Sequence, residues 1–427
     1  MRFPDLIISI CTSASACLFL LCTPAYAHAV PRTSSDEAQA RTRAKEAIRE
    51  TLGAPLDPSD RTRAEKTVAL RCDVYSDRWS TVISPAALAR VRLGPRPRSG
   101  NDATFEVETD VELDAVSGAT PVLMADTITS ATPFDDRRHA GHITFSAQLE
   151  PTWTVATTAN ISIESDHRTY AASVSSSAEL VDRHATISLS SGFFHEIAGR
   201  ADDPDYAQRT LGAAATFGWA HLVARRTTFM FQLDGRLRAC ASQLGCQANP
   251  YRHVPVWNEN AEGNPVLIAP AERHPDQRIR AATAVGLAQY LGAGVGLHLR
   301  YRYCGDTWRV FGHTARVAIA KELLGGKLVA RLEARGTAQA SAAFHRDQYS
   351  SSAHAPSVPE YRSADRELSR IRGLISGARV EYLSPITHKV RWRANARVQR
   401  HWYRYLDHSE LPSRQAWLVG LGAGALF

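Results

Sequence analysis

The chain has 427 residues and a formal net charge of +7, because 50 lysines and arginines outnumber 43 aspartates and glutamates. Its hydrophobic fraction of 44% is too low for a bundle of membrane-spanning helices. The seven cysteines form no C-x-x-C-H motif and no metal-ligand spacing, so we predict no haem, zinc, iron–sulfur cluster or other cofactor.

Residues 1–27 have the pattern of an export signal. Arg2 precedes an apolar run from Leu6 to Leu21, and Ala25-Tyr26-Ala27 matches a cleavage site. Residues 28–65 are rich in alanine, arginine and glutamate, which predicts a short periplasmic segment, either helical or disordered. Two interpretations of this segment stay open, a solvated tail and a binding site for a periplasmic or export partner.

Residues 66–427 read as a succession of strands and turns. About sixteen segments have strand character, with fourteen as the alternative because Pro85 interrupts the second. They are 66–75, 79–93, 104–116, 142–150, 152–164, 170–181, 184–197, 209–223, 227–239, 277–292, 293–306, 308–322, 327–341, 368–383, 388–404 and 413–427. An even number of such strands in one chain predicts an all-β fold, the up-and-down antiparallel transmembrane β-barrel.

The connections and the last strand point to the same architecture. Long connections at 117–141, 198–208, 240–276 and 342–367 are predicted at the extracellular end of the barrel, and short turns at the periplasmic end. The last strand alternates apolar residues with glycines and ends at Phe427, which resembles the final strand of Gram-negative outer-membrane barrels. We therefore expect an outer-membrane location, contact with outer-membrane lipid and recognition by the barrel assembly machinery, and no nucleic-acid partner.

The alternation also predicts which side chains line the lumen. Apolar positions of each strand face lipid, so the polar positions between them face inward. The predicted lumen residues are Glu106, Glu108, Asp110, Glu112, Asp114, Arg236, Arg238, His298, Arg300, Arg302, Arg331, Glu333, Arg335, Arg391, Arg393 and Arg397. Acids thus cluster early and arginines late. Two interpretations follow: a solvated pore for polar or anionic solutes, or acids and arginines that pair across a narrow lumen.

A second charged cluster precedes the tenth predicted strand. The segment Glu272-Arg273-His274-Pro275-Asp276-Gln277-Arg278 combines acids, arginines and a histidine. It fits either a salt-bridged latch that anchors loop 240–276 to the barrel wall or an anion-binding site built on Arg273 and Arg278. In the same loop, the spacing of Cys240 and Cys246 in an exported chain favours a disulfide.

Several motifs together resemble one known family. They are DAVSGATP at 114–121, ESDHR at 164–168, NPYR at 249–252 with ERHPDQR at 272–278, and RYRY at 300–303 with Asp306, Trp308, His313 and Thr314. In this order they resemble a family of Gram-negative outer-membrane β-barrel proteins whose domain has no assigned function, over about residues 66–427. Cys304 departs from the family pattern, where a further aromatic is expected. The resemblance implies the barrel and its compartment, and no particular activity.

Three functional hypotheses follow. The first is an outer-membrane channel or export conduit for polar solutes or polymers, with a charged lumen gated by loops 117–141, 240–276 and 342–367. The second is a plugged barrel that serves an envelope secretion, polysaccharide-export or redox assembly. The third, an enzyme, is disfavoured: His195, Glu196, His274, Asp276 and His313 lie near predicted loop ends, but no G-x-S-x-G or H-E-x-x-H signature accompanies them.

Overall fold

The computed structural model describes residues 66–427 except 79, 94–103, 119–133, 151, 181–183, 201, 202, 204, 242–245, 247–250, 261, 351–357, 388 and 389. The predicted export signal at 1–27 and the predicted segment at 28–65 lie outside the described residues. Within the described ranges, no helix is both long and apolar enough to cross a membrane.

The described residues form nineteen strands and one short helix. The strands are β1 (Lys66–Asp77), β2 (Ser80–Leu93), β3 (Thr104–Gly118), β4 (Phe134–Glu150), β5 (Trp153–Ile163), β6 (His167–Leu180), β7 (Ala185–Gly199), β8 (Ala207–Ala224), β9 (Thr227–Ala241), β10 (Val256–Glu259), β11 (Pro265–Ile268), β12 (Gln277–Gly292), β13 (Val295–Asp306), β14 (Phe311–Leu323), β15 (Leu328–Gln339), β16 (Tyr349–Ser350), β17 (Ile371–Leu383), β18 (Arg391–Tyr405) and β19 (Ser413–Leu426). A 3₁₀-helix spans Arg366–Leu368.

Sixteen of these strands form one closed antiparallel barrel in which each strand pairs with its neighbours along the chain. The ring closes where β1 pairs with β19, with Thr67 opposite Leu426 and Asp73 opposite Gly420. The predicted all-β barrel is therefore confirmed, and so is the predicted number of strands over the fourteen-strand alternative. The remaining strands, β10, β11 and β16, form a small separate sheet.

The two faces of the barrel strands differ as the alternation predicts. The outer face carries exposed apolar side chains, such as Phe105 at 51%, Leu299 at 40% and Trp392 at 59% exposure. The inner face carries polar side chains that contact one another between strands that are not neighbours, as Arg71 on β1 contacts Glu112 on β3. Such contacts form on the concave side of a curved sheet, so this face is the lumen.

Pro85 does not interrupt the second strand. It lies opposite Cys72 of β1, and β2 keeps one register with β3 on both sides of it, from Ile83 opposite Ala115 to Ala86 opposite Glu112. A proline costs the ladder one backbone donor, and long pairing on both sides compensates for this local loss.

The fourth strand is longer than predicted. It begins at Phe134 rather than at residue 142, so residues 134–141, which were assigned to loop 117–141, extend the wall of the barrel. Charged residues here suggested a loop, but Arg138 faces the lumen and its Nη1 contacts Asp114 Oδ2 at 2.6 Å. An acidic partner on the neighbouring strand makes arginine compatible with a barrel wall.

The connections sort by length only in part. At one end, hereafter the short-turn end, Ala293 and Gly294 link β12 to β13 with φ values of 49° and 72°, as a tight hairpin turn requires. At the other end, hereafter the loop end, β9–β12 and β15–β17 are joined by long connections, whereas β5–β6 and β13–β14 are joined by short ones. The connection between β2 and β3, at the short-turn end, is also long.

Candidate functional site: the lumen and the loop cap

On the acidic side of the lumen, formed by β1 to β4, carboxylates contact arginines of the same wall. Arg71 Nη2 lies 3.1 Å from Glu112 Oε2, and Arg71 Nε lies 2.5 Å from Asp73 Oδ2. Arg138 contacts Asp114 and, at 3.5 Å, Glu112. These side chains are almost fully buried. Here the charges are paired, because a buried carboxylate without a cation would be strongly destabilising.

The remaining predicted acids of β3 lie nearer the short-turn end and are less buried. Arg90 contacts both Glu108 and Glu106, the latter at 3.2 Å. His142 faces the same acids, with its Nε2 3.8 Å from Glu108 Oε1 and its Nδ1 4.0 Å from Asp110 Oδ1. Basic residues that the sequence analysis did not single out thus accompany each predicted acid.

The opposite side of the lumen, formed by β13 to β15, has more arginines than acids. Arg316 donates to Glu333 at 2.6 Å, and Arg302 donates to Asp234 of β9 at 3.2 Å. Among the residues that the structure describes, the partner of Arg300 is the amide oxygen of Gln232, at 2.8 Å. In the ladders Arg300 lies opposite Arg316, which lies opposite Arg335, so this wall keeps an excess of positive charge.

The arginine row continues to the barrel seam. Arg331, Arg379 and Arg397 lie opposite one another on β15, β17 and β18. Arg397 extends across β19 to Asp73 of β1, and the two form an ion pair at 2.9 Å that spans the seam. Arg393 and Arg379 share Glu381, at 2.8 Å and 2.9 Å. Arg391 donates to the backbone oxygen of Ser384 at 3.2 Å.

Near the loop end, four arginines form what we call the basic quartet: Arg236, Arg238, Arg278 and Arg280. Arg236 lies directly opposite Arg280, and Arg238 directly opposite Arg278, on β9 and β12. Two carboxylates contact the four arginines. Glu196 lies 2.9 Å from Arg238 and 3.7 Å from Arg236. Asp306 lies 2.5 Å from Arg278 and 3.7 Å from Arg280.

Aromatic rings hold two of these guanidinium groups in place. The guanidinium carbon of Arg236 lies 4.4 Å from the ring centre of Phe194, and that of Arg278 lies 4.2 Å from the ring centre of Trp308. The side chains of Arg236, Arg238 and Arg280 are 48%, 36% and 42% exposed. The quartet is therefore a fixed and partly solvated group of cations that could bind an anion.

The wall from β5 to β8 is of a third kind. Its inward positions are mostly small or hydroxyl-bearing, in the paired rows of Thr158 with Ser173 and Ser175 with Ser190. Gly192, Ala214 and Gly218 continue this surface. The short side chains leave space in front of the basic wall across the lumen.

Two long loops fold together at the loop end. We define the loop cap as the described parts of residues 246–276 and 340–370. Its small sheet joins both loops, because β10 pairs with β11 and, in parallel, with β16. Val254 and Val256 are fully buried against Tyr349. The cap therefore has an apolar core of its own, which sequence patterning had not predicted.

A buried polar network ties the two loops together around Glu272. This residue has no exposed surface, and it contacts the hydroxyl of Ser363, His274 Nε2 at 3.2 Å and Arg252 Nη1 at 3.8 Å. Arg252 also contacts Asp365 at 2.5 Å. Burial alone raises the pKa of Glu272, but the charges of His274 and Arg252 with the hydrogen bonds lower it to about 2.

The predicted cluster at 272–278 thus contacts partners outside itself. Arg273 pairs with Glu360 of the other loop at 3.4 Å, while Arg278 contacts Asp306 and belongs to the quartet. His274 packs against Trp308 and Phe344, with ring centres at 4.9 Å and 5.5 Å. Asp276 accepts a hydrogen bond from Cys240 N through its backbone oxygen. Glu272 therefore connects loop to loop, and Arg278 lies on the lumen wall.

The loop cap is fastened to the barrel rim at two further places. Cys240, at the end of β9, forms a disulfide with Cys246. On the opposite side, Tyr405 donates to Glu367 at 2.8 Å above an inward-facing apolar cluster of Ile371, Ile375 and Tyr403. This cluster departs from the expected polar lumen, because the wall there packs beneath the cap.

A small cavity lies between the disulfide and the quartet. Its volume is about 20 Å³, room for one water molecule, and its lining includes Thr210, Arg238, His274 and Trp308. It is too small to be the binding site of a solute. Any solute contact with the quartet would come from the lumen side.

The histidines considered for catalysis do not come together. His195 lies opposite Tyr170 and Leu211 on the outer, lipid-facing side. His313 is also on that side, with its Nδ1 2.6 Å from the hydroxyl of Tyr301. His274 is buried in the cap. Within the part of the chain that the structure describes, no group of histidine, cysteine, aspartate or glutamate has the arrangement of a metal site.

A protein-family model matches part of this chain. The model of DUF3570, described as a protein of unknown function, matches residues 207–405. The predicted resemblance to an outer-membrane family of unknown function is thereby confirmed, over a shorter range than expected. The match includes β8 to β18, and with them the quartet and the loop cap. No curated protein is similar in sequence.

Solved structures of several barrels are similar at low identity. The chain is 8% identical to a bacterial polysaccharide outer membrane secretin, with 85% of this chain and 98% of that chain covered and a TM-score of 0.42. The CymD monoaromatic hydrocarbon channel is 8% identical, with coverages of 89% and 92% and a TM-score of 0.39. OccK5 of Pseudomonas aeruginosa is 7% identical, with coverages of 85% and 98% and a TM-score of 0.41.

Proposed function

We propose that this protein is an outer-membrane conduit for polar solutes, with a preference for anions, and that the loop cap gates its lumen. The observation that carries the proposal is the unequal charge of the two lumen walls. Acids of β3 contact Arg71, Arg90 and Arg138, whereas the arginines of β9 to β18 outnumber their acidic partners. A net positive wall attracts anions and raises their local concentration.

The basic quartet is the proposed contact point below the gate. Four guanidinium groups share two carboxylates, and three of the four arginine side chains are partly exposed. Carboxylate or phosphate groups of a passing solute fit such donors, which bind planar oxyanions through paired hydrogen bonds. Residues of β5 to β8, on the wall next to the quartet, are small enough to leave a path.

Single-channel recording in planar bilayers tests this proposal. The purified barrel should conduct and select for chloride over potassium. The triple variant Arg236→Gln, Arg238→Gln and Arg280→Gln should lower the anion-to-cation permeability ratio by about threefold or more, since the charge excess it removes lies in the lumen. Arg168→Gln with Arg209→Gln removes charge from the lipid-facing side and is the matched control, with an unchanged ratio expected.

A cation-selective barrel, or equal ratios in the triple variant and the control, would contradict the anion preference. A folded barrel that stays silent would contradict the conduit itself. Folding is checked by migration on a gel before and after heating.

A plugged partner barrel is the second candidate, and the packed core of the loop cap favours it. In this case the wild-type barrel would be silent, and envelope proteins would co-purify with it. Deleting residues 28–65 would reduce that co-purification if the segment binds the partner. Unchanged recovery would count against this candidate.

A further inference from the structure

The outer face of the barrel carries an arginine pair at the loop end of β17 and β18. Arg372 and Arg404 lie directly opposite each other, and both are exposed. Arg400 shares their face and lies two outward positions from Arg404 toward the membrane centre. Its guanidinium is 5.5 Å from the ring centre of Trp417, and its Nη2 donates to Gln415 Oε1 at 3.1 Å. Three cations therefore lie on this part of the outer face.

The spacing of aromatic residues locates this pair relative to the membrane. On β18, Trp392 and Trp402 both face outward, at 59% and 37% exposure. They are about ten residues apart, the length of a tilted strand that crosses the apolar core of a bilayer. If they mark its two interfaces, as aromatic girdles do, then Arg404 and Arg372 lie just beyond the interface at the loop end.

Within the described part of the chain, no carboxylate pairs with Arg372 or Arg404. The closest acid in sequence, Asp407, is engaged by Arg370, whose Nη2 lies 2.6 Å from Asp407 Oδ1. Like charges directly opposite each other destabilise an antiparallel ladder. A bound anion would remove that repulsion, and it would have to come from outside the chain.

We propose that Arg372 and Arg404, assisted by Arg400, bind a phosphate group of an anionic lipid of the outer leaflet, of the lipid A type. The paired guanidinium groups supply several fixed donors to a phosphate. Exposed Trp402, Trp417 and Leu374 lie directly below and would pack against the acyl chains. The site is on the outer surface and depends on membrane insertion, but not on any transport through the lumen.

Thermal unfolding in two kinds of vesicle tests the site. The purified full chain is reconstituted in phosphatidylcholine alone and in phosphatidylcholine with lipid A, and the midpoint is read from heat-modifiable gel migration. Lipid A should raise the wild-type midpoint. The variant Arg372→Gln with Arg404→Gln should lose more than half of that increase. In phosphatidylcholine alone its midpoint should equal or exceed the wild-type value, because repulsion is relieved.

Binding is measured in parallel as lipid A phosphorus retained per barrel, with an apparent affinity about tenfold weaker expected for the double variant. The matched control is Arg168→Gln with Arg209→Gln, which removes two exposed arginines from the same end. Each of these faces Ile197 rather than another arginine. The control should retain lipid A within about twofold of wild type.

Equal loss of lipid A in both double variants would mean nonspecific rim charge and would overturn the proposal. So would wild-type retention in Arg372→Gln with Arg404→Gln. If that variant does not fold, Arg404→Gln is compared with Arg209→Gln by the same two measurements. The two single variants test the proposal in the same way, since Arg404 faces a second arginine and Arg209 does not.

Discussion

At the residue scale, Glu272 shows how a charge is kept inside the loop cap. The sequence places it in a mixed cluster, where Arg273 is its nearest cation along the chain. In the folded protein its partners are His274, Arg252 and Ser363 instead. A fully buried carboxylate needs this many partners because its desolvation is costly.

Replacing Glu272 with glutamine should open the loop cap. The amide keeps the shape but loses the ion pairs, and we expect the cap to lose about 3 kcal/mol of opening free energy. Hydrogen exchange of the amides of β10 and β16 measures this. Glu360→Gln is the control, since that carboxylate is 62% exposed and should change exchange by less than about 0.5 kcal/mol. Equal effects would contradict the proposed role.

The loop cap should also open in acid. The pKa of Glu272 is lowered from 4.5 to about 2, so its contribution is present above 4.5 and is lost as the pH falls toward 2. Two buried histidines add to this: His345 of the cap, and His408 between β18 and β19, whose Nδ1 lies 3.9 Å from Asp347 Oδ1 of the cap. Burial lowers the pKa of both below 6.5. These histidines protonate more readily in the open form, so their contribution begins to be lost below 6.5.

Hydrogen exchange of the cap amides between pH 7 and pH 3, corrected for intrinsic rates, measures this loss. Two stages are expected, the first below pH 6.5 and the second below 4.5. In the variant Glu272→Gln only the first stage should remain. A cap whose protection stays constant down to pH 3 would contradict the assignment.

At the scale of elements, the seam between β1, β19 and β18 depends on a missing side chain. A Cβ at Gly420 would collide with Asp73 Oδ1 and would lie 2.8 Å from Arg397 Nε, the pair that bridges the seam. The alternation of glycines on β19 was read from the sequence, but only the closed ring explains it. Glycine leaves the arginine room to cross from β18 to β1.

The substitution Gly420→Ala should therefore weaken ring closure. We expect a loss of about 2 kcal/mol in the free energy of unfolding, from overpacking and a displaced ion pair. Urea titration in lipid vesicles, followed by tryptophan fluorescence, gives the value. Gly336→Ala is the matched control, since a Cβ there meets nothing within 4 Å. A loss of similar size in both variants would mean that barrel strands tolerate no added methyl group.

The disulfide links the start of the loop cap to the end of β9. It closes a short loop between Cys240 and Cys246, with a sequence separation of 6. Cys240→Ser with Cys246→Ser should reduce cap stability by about 2 kcal/mol, the entropy expected for a loop of this length. Exchange of amides 253–274 should rise while amides 358–369 change less. Uniform change in both loops would argue against a local effect.

At the scale of the whole molecule, the barrel and the loop cap are stabilised by different interactions. The barrel is held by a continuous ladder, whereas the cap is held by a buried ionic network and small apolar cores. One can therefore be altered without the other. The proposed gating of the lumen by the loop cap requires this separation.

Removing the loop cap should increase conductance and keep the barrel folded. The variant replaces residues 252–272 and 342–368 with short glycine–serine turns, and single-channel recording compares it with wild type. We expect at least a twofold larger conductance, with the anion preference of the basic quartet retained. An unchanged conductance would mean that the cap does not narrow the path.

The sequence by itself determined the barrel, its strand number and the two faces of each strand. Period-two alternation is a local property, and a membrane enforces it because lipid accepts only apolar side chains. The family resemblance, which the match over β8 to β18 confirms, was also readable from the sequence. Boundaries were less so, as the start of β4 at Phe134 shows, because a lumen-facing Arg138 looks like a loop residue until Asp114 is beside it.

Only the tertiary structure decided which charges meet. Glu272 with Arg252, Arg397 with Asp73, and the quartet across β9 and β12 join residues far apart in the chain. No periodicity encodes such pairs, because ring closure and loop packing set them. The same holds for the two outer arginines. Arg372 and Arg404 become one site only because β17 and β18 pair in this register.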